Sequence, residues 1–544
     1  MSQAATSRHG GTAQGHHHAS PRRVAMDRDH GMLEKFLFLA LLLGGLGYAG
    51  YSIWQDVDAA GADTLTLLPF LLLVVALLIA LGFEFVNGFH DTANAVATVI
   101  YTHSLPAHVA VIWSGAWNFL GVLLSSGAVA FGIVSLLPVE LILHVGSGAG
   151  MAMVFALLIA AIVWNLGTWW LGLPASSSHT LIGSIIGVGI ANQLLQGRDG
   201  TAGVDWGQAA NVGYSLLLSP VVGFVAAGLL FITLKVLVRN PALYREPKGN
   251  TPPPWWIRSL LVLTCTGVSF AHGSNDGQKG MGLIMLILIG IVPTAYALNH
   301  AVNVEEVARF SAIAQATESS LLTLTAKAPP PADPRAALTA YVRDRQASPD
   351  TLPALAQVTR EIADMVAKHQ SLSQVPAASV SNIRNDMYLA SETIRLMGKT
   401  GEPGVDATAK SNLSAFKREL DQATKFIPLW VKVAVAIALG LGTMVGWKRI
   451  VVTVGEKIGK THLTYAQGGA AELVAMATIG AADMYGLPVS TTHVLSSGVA
   501  GTMAANRSGL QMSTVRNLLM AWVLTLPAAI VLSGTLYAVL RQIM

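Results

Sequence analysis

The sequence predicts an all-α polytopic membrane protein, built from two inverted-topology repeats of about five crossings each with broken helices. One extra transmembrane helix precedes the repeats. Composition and the length of the apolar runs give the first two reasons. Of 544 residues, 52% are hydrophobic and only 12% are charged, against roughly a quarter charged in a soluble protein. The apolar stretch 65–86 exceeds the roughly 20 residues that a helix needs to cross a bilayer.

The third reason is an internal repeat, formed by two pairs of similar polar segments. Leu173-Pro174-Ala175-Ser176-Ser177-Ser178-His179 recurs as Leu487-Pro488-Val489-Ser490-Thr491-Thr492-His493, each time after a glycine. Gly88-Phe89-His90-Asp91-Thr92-Ala93-Asn94 is matched more weakly by Gly273-Ser274-Asn275-Asp276-Gly277-Gln278-Lys279, and the order along the chain is the same. A repeated pattern of this kind indicates a duplicated structural unit.

These segments define the predicted domains. Residues 1–32, rich in small residues and histidine, form a disordered tail, and residues 33–54 form the extra transmembrane helix rather than a cleaved signal peptide. Repeat 1 covers 64–240, a cytoplasmic linker covers 241–256, and repeat 2 covers 257–544 with a soluble insertion at 302–427. The insertion carries no motif that indicates its function.

Loop charge predicts that the two units enter the membrane from opposite sides. The loop before repeat 1 holds Asp56, Asp58 and Asp63, whereas the linker region before repeat 2 holds Lys235, Arg239, Arg245, Lys248 and Arg258. Cytoplasmic loops carry an excess of Lys and Arg, so the first loop is placed outside and the linker inside. Counting crossings then places the insertion outside.

Charge and cysteine content exclude other classes of site. The formal net charge of +4 comes from basic residues spread over short loops, so no nucleic-acid partner is predicted and lipid is the main surrounding. The single cysteine, Cys265, rules out a disulfide framework and a cysteine metal cluster. We predict no cofactor and no resident metal.

Asp91 and Asp276 lie within the polar segments at the ends of two apolar runs and are the first candidate functional residues. A carboxylate at the bilayer centre costs about 2.5–3.5 kcal/mol on insertion scales, so such residues mark a transport pathway unless they lie at the interface. The surrounding glycines and small polar residues favour a broken helix at each position. A break is tolerated only where the backbone is buried or lines a cavity.

The two Pro-x-Ser segments are candidate anion sites. Proline in a first turn followed by hydroxyl side chains is typical of a helix start, where the hydroxyls cap free amides. A helix N-terminus with free amides also attracts anions. Two such segments could hold one tetrahedral anion between them, with hydrogen bonds from Ser176, Ser177, Ser178, Ser490, Thr491 and Thr492.

Histidines add candidate proton-handling groups. His179 and His493 follow the hydroxyl segments and act either as proton relays or as packing residues. His90 lies beside Asp91, and its counterpart in repeat 2 is Asn275. Because only histidine titrates unperturbed near physiological pH, this asymmetry suits a proton-coupled site.

Four further polar residues complete the set of candidates. Asn94 and Gln278 are further candidate ligands of this anion, and Glu84 joins Asp91, Asp276, His90 and Asn275 as a group that couples to an ion or proton. Lys279, matched to Asn94, either attracts an anion or pairs with Asp276, and the sequence leaves both open.

The motifs resemble those of the inorganic phosphate transporter (Pit) family, and within it the bacterial PitA-type symporters. The resemblance covers Asn87 to Ala95, Ala271 to Gly280, the two hydroxyl segments and Gly455-Glu456-Lys457-Ile458-Gly459-Lys460. It implies uptake of phosphate with protons, also as neutral complexes with divalent metals. It further implies that Asp91, Asn94, Asn275 and Asp276 line the ion and substrate site, with the hydroxyls on phosphate. The sodium-driven branch usually has Asn where this chain has His90, which favours protons over sodium.

We therefore expect a non-enzymatic importer of inorganic phosphate that works by alternating access in the inner membrane of a bacterium. The alternatives are a sodium-coupled phosphate symporter and a carrier of sulfate or metal. An intramembrane hydrolase built on Ser178, His179 and Asp91 is disfavoured, because a nucleophile needs no duplicated, inverted copy. The sequence leaves open whether the chain forms a homodimer.

Overall fold

The computed structural model is helical throughout the residues that it describes, which are 31–61, 67–91, 93–196, 204–247, 249, 251–325, 328–369, 371–400 and 405–544. Within these ranges the only β pairing is an isolated antiparallel bridge between Gly459 and Leu510. Seven helices of the described chain are long and apolar enough to cross a membrane, or up to eight if one bent pair counts as a span. The predicted all-α membrane class is confirmed. The predicted disordered tail lies outside the described residues except at 31–32.

The first half of the chain forms nine helices in the described part. They are α1 (Met32–Ala59), α2 (Leu67–Asp91), α3 (Ala93–Tyr101), α4 (Ala107–Leu124), α5 (Ala128–Val134), α6 (Val139–Leu143), α7 (Gly148–Trp170), α8 (Ser177–Gln196) and α9 (Trp206–Leu237). The extra helix α1 and the apolar runs of repeat 1 thus correspond to long helices. A short 3-10 helix, Pro241–Tyr244, follows in the linker.

The second half contains the remaining helices, with the insertion between α11 and α17. They are α10 (Trp255–Ile291), α11 (Pro293–Tyr296), α12 (Val304–Leu324), α13 (Pro334–Asp344), α14 (Thr351–Ala367), α15 (Ala377–Thr400), α16 (Ala407–Thr424), α17 (Leu429–Thr443), α18 (Lys448–Val452), α19 (Tyr465–Met484), α20 (Thr491–Ala505) and α21 (Met512–Ile543). One turn of π-helix, Thr453–Lys457, extends α18.

The two halves pack through matched pairs of helices. α2 packs against α17 and α10 against α4, while α8 packs against α21 and α20 against α9. Close backbone contacts are matched as well: a Cβ on Gly88 would lie 2.2 Å from the carbonyl oxygen of Leu439, and one on Gly273 would lie 2.2 Å from that of Asn118. Equivalent positions of the two units therefore make equivalent contacts, while their opposite orientation in a membrane stays a prediction.

The predicted helix break at Asp276 is wrong. α10 continues through the whole motif from Trp255 to Ile291. The glycines of the motif serve close approach instead of a break, because a Cβ on Gly280 would lie 2.4 Å from the Cγ of Glu84. In the first copy, α2 ends at Asp91 and α3 begins at Ala93, with position 92 outside the described residues.

The insertion forms a helical lobe, α12 to α16, around a hydrophobic core of its own. Buried members of this core include Phe310, Tyr341, Leu355, Met387 and Phe416. The lobe is tied to the membrane helices at Asp205, whose carboxylate caps α9 at Gln208 N (2.6 Å). Arg345 and Arg395 of the lobe both pair with this carboxylate. The lobe is therefore positioned over the start of α9.

Gly273→Ala is expected to destabilise the protein more than the same change at Gly82. The new methyl group would meet backbone atoms of Asn118 at 2.2 to 2.8 Å, so α4 and α10 must separate, and overpacking of this kind costs about 1–3 kcal/mol. A Cβ on Gly82 meets nothing within 4 Å. Thermal unfolding of the two purified variants in detergent compares them directly, and equal midpoints would contradict the packing described here.

Candidate functional site

The real chain breaks lie at the two hydroxyl segments. Residues 173–176 and again 487–490 lie outside any helix. Each break follows a glycine in the left-handed region, Gly172 with φ +68° and Gly486 with φ +64°. Residues with a side chain rarely adopt this conformation, so the glycine before each segment allows the chain to turn into it.

The first hydroxyl of each segment caps the following helix. The Oγ of Ser176 accepts a hydrogen bond from the main-chain N–H of His179 (3.2 Å), and the Oγ of Ser490 accepts one from that of His493 (3.1 Å). These two side chains satisfy amides that a helix start leaves free. The capping interpretation thus applies to Ser176 and Ser490.

One later hydroxyl of each segment binds the same carboxylate, Asp91. Ser177 Oγ donates to Asp91 Oδ2 at 2.5 Å, and Thr492 Oγ1 donates to Asp91 Oδ1 at 2.6 Å. Ser178 Oγ donates to the carbonyl oxygen of Val489 at 2.7 Å, which links the segments directly. Asp91 is only 3% exposed. The structure thus places hydroxyls from both halves of the chain on opposite oxygens of Asp91.

The second carboxylate, Asp276, has a fixed cationic partner. Lys279 Nζ lies 2.7 Å from Asp276 Oδ2, and both side chains are fully buried. Lys279 Nζ also donates to Ser178 Oγ at 2.5 Å. Ser177 Oγ lies within hydrogen-bond distance of Asp276 Oδ2 (3.3 Å) as well as of Asp91. Lys279 therefore pairs with Asp276 and contacts the first hydroxyl segment at the same time.

Thr491 is the hydroxyl of the second segment that has no acceptor within the described part of the chain. It is 5% exposed, and its Oγ1 has no hydrogen-bond partner among the described residues. A buried hydroxyl normally finds a partner. Thr491 is thus available to donate to a bound molecule.

His90 and Asn275 occupy matched positions but do different things. His90 Nδ1 lies 3.0 Å from Asp91 Oδ1, and its Nε2 lies 3.1 Å from Thr168 Oγ1. Asn275 Nδ2 instead donates to the carbonyl oxygen of Leu487 at 3.1 Å. His90 is therefore in contact with the shared carboxylate, whereas Asn275 holds the second hydroxyl segment in place.

The two histidines that follow the segments face each other. The rings of His179 and His493 have centroids 4.6 Å apart, and His493 stacks on Trp522 at 4.1 Å. The described residues offer no hydrogen-bond partner to His179 Nδ1 or His493 Nε2. The pair packs together beside the site, and each ring keeps one nitrogen for a further contact.

Gln278 is placed away from the hydroxyls. Its Nε2 donates to Asp483 Oδ1 at 2.7 Å, and its Oε1 accepts from the main-chain N–H of Val129 at 2.9 Å. Asp483 also accepts from Ser274 Oγ at 2.6 Å. These bonds connect α10 to α19 and α5. Gln278 therefore stabilises the packing of these helices.

Glu84 is fully buried in α2, the helix that ends at Asp91. Its Oε2 accepts from Asn87 Nδ2 at 3.3 Å, and its side chain packs against Gly280 of α10. Its other oxygen, Oε1, has no hydrogen-bond partner in the described part of the chain. The side chain of Asn94, the other predicted ligand, lies outside the described residues.

His272 is a candidate site residue that sequence reasoning missed. Its Nε2 lies 3.6 Å from Asp276 Oδ2, and its Nδ1 lies 2.9 Å from Asn118 Oδ1. Ligand atoms of Asp91, His272 and Asp276 all lie within 4.8 Å of one another, close enough to hold a cation together. The signal was present in the sequence, because residues four apart share one face of a helix.

Comparison with known proteins shows the family of the chain. The family model described as "Phosphate transporter family" matches residues 87–533. The low-affinity inorganic phosphate transporter PitB of Escherichia coli K12 is 43% identical over 490 residues, covering 87% of this chain and 97% of that protein. PitA of the same strain is 44% identical over 492 residues, covering 86% and 96%.

More distant relatives extend the comparison. The low-affinity inorganic phosphate transporter of Buchnera aphidicola from Acyrthosiphon pisum is 41% identical over 495 residues, covering 86% of this chain and 96% of that one. A solved structure, "The sodium-dependent phosphate transporter", aligns with 19% identity and a TM-score of 0.48 over 87% of this chain and all of that one. On the family match and the identities to the bacterial proteins, the chain belongs to the phosphate transporter family.

Proposed function

We propose that this protein is a secondary active transporter that imports inorganic phosphate by proton-coupled symport and alternating access. It is a multi-pass protein of the bacterial inner membrane. One observation carries the proposal: Ser177 and Thr492, from the two halves of the chain, donate to opposite oxygens of Asp91. A tetrahedral oxyanion presents the same kind of acceptor as a carboxylate, so the hydroxyls can exchange one for the other.

Protonation of Asp91 provides the link between proton and phosphate. An ionised Asp91 accepts both hydroxyls and repels a second anion, so it competes with phosphate for the same donors. A proton on this carboxylate removes the negative charge and weakens its hold on the hydroxyls, because bonds to an ionised acceptor are about twice as strong as neutral ones. Proton and phosphate then favour each other's binding, which is the thermodynamic content of coupling.

Asp276 needs no mobile cation in this scheme. Its charge is balanced within the chain by the buried Lys279 ammonium at 2.7 Å. Only Asp91 is left to exchange its charge with the surroundings, through the adjacent His90. This division of roles supports coupling through one carboxylate.

A neutral divalent metal-phosphate complex is a second form of substrate that the site supports. Asp91, His272 and Asp276 gather ligand atoms within 4.8 Å beside the hydroxyls. A cation there would bridge the carboxylates to the phosphate oxygens. In this form the metal ion is transported together with phosphate. Its positive charge, in place of a proton, balances the negative charge of Asp91.

The proposal includes an inverted arrangement of the two units. Repeat 1 (64–240) and repeat 2 (257–544) enter the membrane from opposite sides, with the linker 241–256 cytoplasmic and the lobe outside. The matched contacts α2 with α17 and α10 with α4 support this arrangement. Alternating access then corresponds to the helices of one unit moving against those of the other around the hydroxyl segments.

Uptake of radiolabelled phosphate into proteoliposomes, with a pH gradient or a sodium gradient imposed separately, tests the function. We expect accumulation driven by the pH gradient, inhibition by arsenate but not sulfate, and recovery of the label as unchanged phosphate. Competition by zinc would indicate transport as a metal complex. Uptake that follows only the sodium gradient would overturn proton coupling, and sulfate uptake would overturn the substrate.

His90→Asn is expected to flatten the pH dependence of uptake without abolishing phosphate binding. Asparagine matches the repeat 2 residue Asn275 and keeps a side-chain partner for Asp91 or Thr168, but it cannot take up a proton. Initial rates measured across the range from acid to neutral pH give the profile. His462→Asn, at a half-buried histidine outside the site, is the matched control. A profile for His90→Asn that equals the wild-type profile contradicts a role for this histidine.

A further inference from the structure

A large cavity lies between the lobe and the membrane helices. Its volume is about 810 Å³, and it is lined by α15 and α16 of the lobe, by the start of α9, and by Gly486 and Leu487. The carbonyl oxygen of Leu487 accepts the hydrogen bond from Asn275 Nδ2. The floor of the cavity is therefore the chain that leads directly into the second hydroxyl segment.

The walls of this cavity carry an excess of positive charge. The cationic lining side chains are Arg384, Arg395, Lys399, Lys417 and Lys425. The acidic ones are Glu392 and Asp421. Cavities lined by one sign of charge concentrate ions of the opposite sign. We call this space the basic vestibule.

The acids present do not neutralise these cations one for one. Lys417 and Lys425 share the single carboxylate of Asp421, at 2.5 and 2.7 Å. Lys399 Nζ donates to the neutral amide oxygen of Gln208 at 3.1 Å. Burial lowers the pKa of Lys399, an effect that a bound anion would oppose.

Arg384 is the strongest candidate anion ligand in the wall of the vestibule. The side chain lies deep in the wall and the residue is only 5% exposed. Its contacts are neutral: Nη1 donates to Ile142 O (3.3 Å) and Asn385 Oδ1 (3.2 Å), and the guanidinium lies over the Tyr388 ring. Its Nε has no partner among the described residues. A buried charge is costly without a counter-ion, and guanidinium groups bind phosphate oxygens in forked geometry.

We propose that the basic vestibule is an anion-binding antechamber that collects inorganic phosphate before it reaches the hydroxyl segments. The proposal rests on the proposed function and assigns a role to the insertion. Phosphate binds there through Arg384 and Lys399. It then moves past Gly486 and Leu487 to Ser177 and Thr492. The vestibule raises the local phosphate concentration at the mouth of the pathway.

Charge-selective cysteine labelling tests the vestibule without relying on transport. The full chain is used with Cys265→Ala, which removes the only native cysteine. Asn211→Cys places one thiol on the exposed lining of the vestibule, and Ser414→Cys places one on an exposed part of α16 outside that lining. Each purified variant reacts with an anionic and a cationic methanethiosulfonate of similar size, at low salt, with and without inorganic phosphate.

We expect the ratio of anionic to cationic labelling rates to be about tenfold higher for Asn211→Cys than for Ser414→Cys, as charged clefts focus ions by 10-fold or more. Adding Lys399→Gln should lower that ratio, and inorganic phosphate should slow the anionic reagent at Asn211→Cys only. Adding Lys410→Gln, at an exposed lysine of α16 outside the lining, should leave the ratio unchanged.

Equal ratios at the two positions, or labelling that phosphate does not slow, overturn the proposal. Because labelling needs no gradient, this failure is separate from failure of the proposed function. The latter would appear as a wild-type protein that does not accumulate phosphate in proteoliposomes.

Discussion

Asp91→Asn is expected to lower pH-gradient-driven phosphate uptake by roughly 100-fold. The substitution keeps the size of the side chain but removes the charge that accepts the hydroxyls of Ser177 and Thr492. Each hydrogen bond to a charged group contributes about 1.5–3 kcal/mol, and the variant also loses the group that takes up the coupled proton. Initial rates of radiolabelled uptake in proteoliposomes measure the loss.

Asp56→Asn is the matched control for this experiment. Asp56 lies at the end of α1, where its carboxylate accepts from the hydroxyl of Tyr296 (2.8 Å) and from Trp430 Nε1 (3.0 Å), far along the chain from the hydroxyl segments. Uptake by this variant should stay close to that of the wild type. Unchanged gradient-driven uptake by Asp91→Asn would remove this carboxylate from the coupling mechanism.

Lys279→Gln is expected to abolish uptake at neutral pH and to destabilise the protein. It leaves the fully buried Asp276 carboxylate without its cation, and breaking a buried ion pair costs about 3–5 kcal/mol. It also removes the donor to Ser178 Oγ at 2.5 Å. Thermal unfolding in detergent and uptake in proteoliposomes report the two effects separately.

The double variant Asp276→Asn with Lys279→Gln tests whether the lost stability comes from the unpaired charge. Removing both charges leaves no unpaired ion, so we expect most of the lost stability to return while uptake stays low. If the double variant is as unstable as Lys279→Gln alone, the instability has another cause. If Lys279→Gln transports normally, a mobile cation already serves Asp276 in the wild type.

The long apolar runs made the membrane fold predictable from sequence, and the repeated hydroxyl segments indicated a candidate site. A run longer than a bilayer is thick has few alternatives to a spanning helix. The repetition of Leu-Pro-x-Ser near 173 and 487 predicted the helix starts that follow the two chain breaks. The contact between Ser177, Thr492 and Asp91 follows from bringing these breaks together.

The wrong prediction at Asp276 has a physical reason. Glycines in a membrane helix mark either a break or a close approach of two helices, and sequence alone does not distinguish them. Gly273 and Gly280 serve close approach, to Asn118 and to Glu84. The partner helices are supplied by distant parts of the chain, so only the three-dimensional structure decides between the two uses.

Contacts between residues far apart in the chain also determine the roles that the sequence left open or did not reveal. Gln278 binds Asp483, which lies 205 positions away, so its bracing role could not be read from its own motif. Lys279 had two candidate partners in the sequence, and burial beside Asp276 favours the carboxylate. The basic vestibule joins the lobe to α9 and α19, and no motif marks it.

A double-mutant cycle on phosphate binding tests most directly whether hydroxyls from both halves hold one anion. Equilibrium binding of radiolabelled phosphate is measured for the wild type, Ser177→Ala, Thr492→Val and the pair. We predict that each single change weakens binding by roughly tenfold, and that the pair departs from additivity by about 0.5 kcal/mol or more, as expected for residues in one network. Full additivity, or normal binding by either single variant, would contradict a phosphate site shared between the two segments.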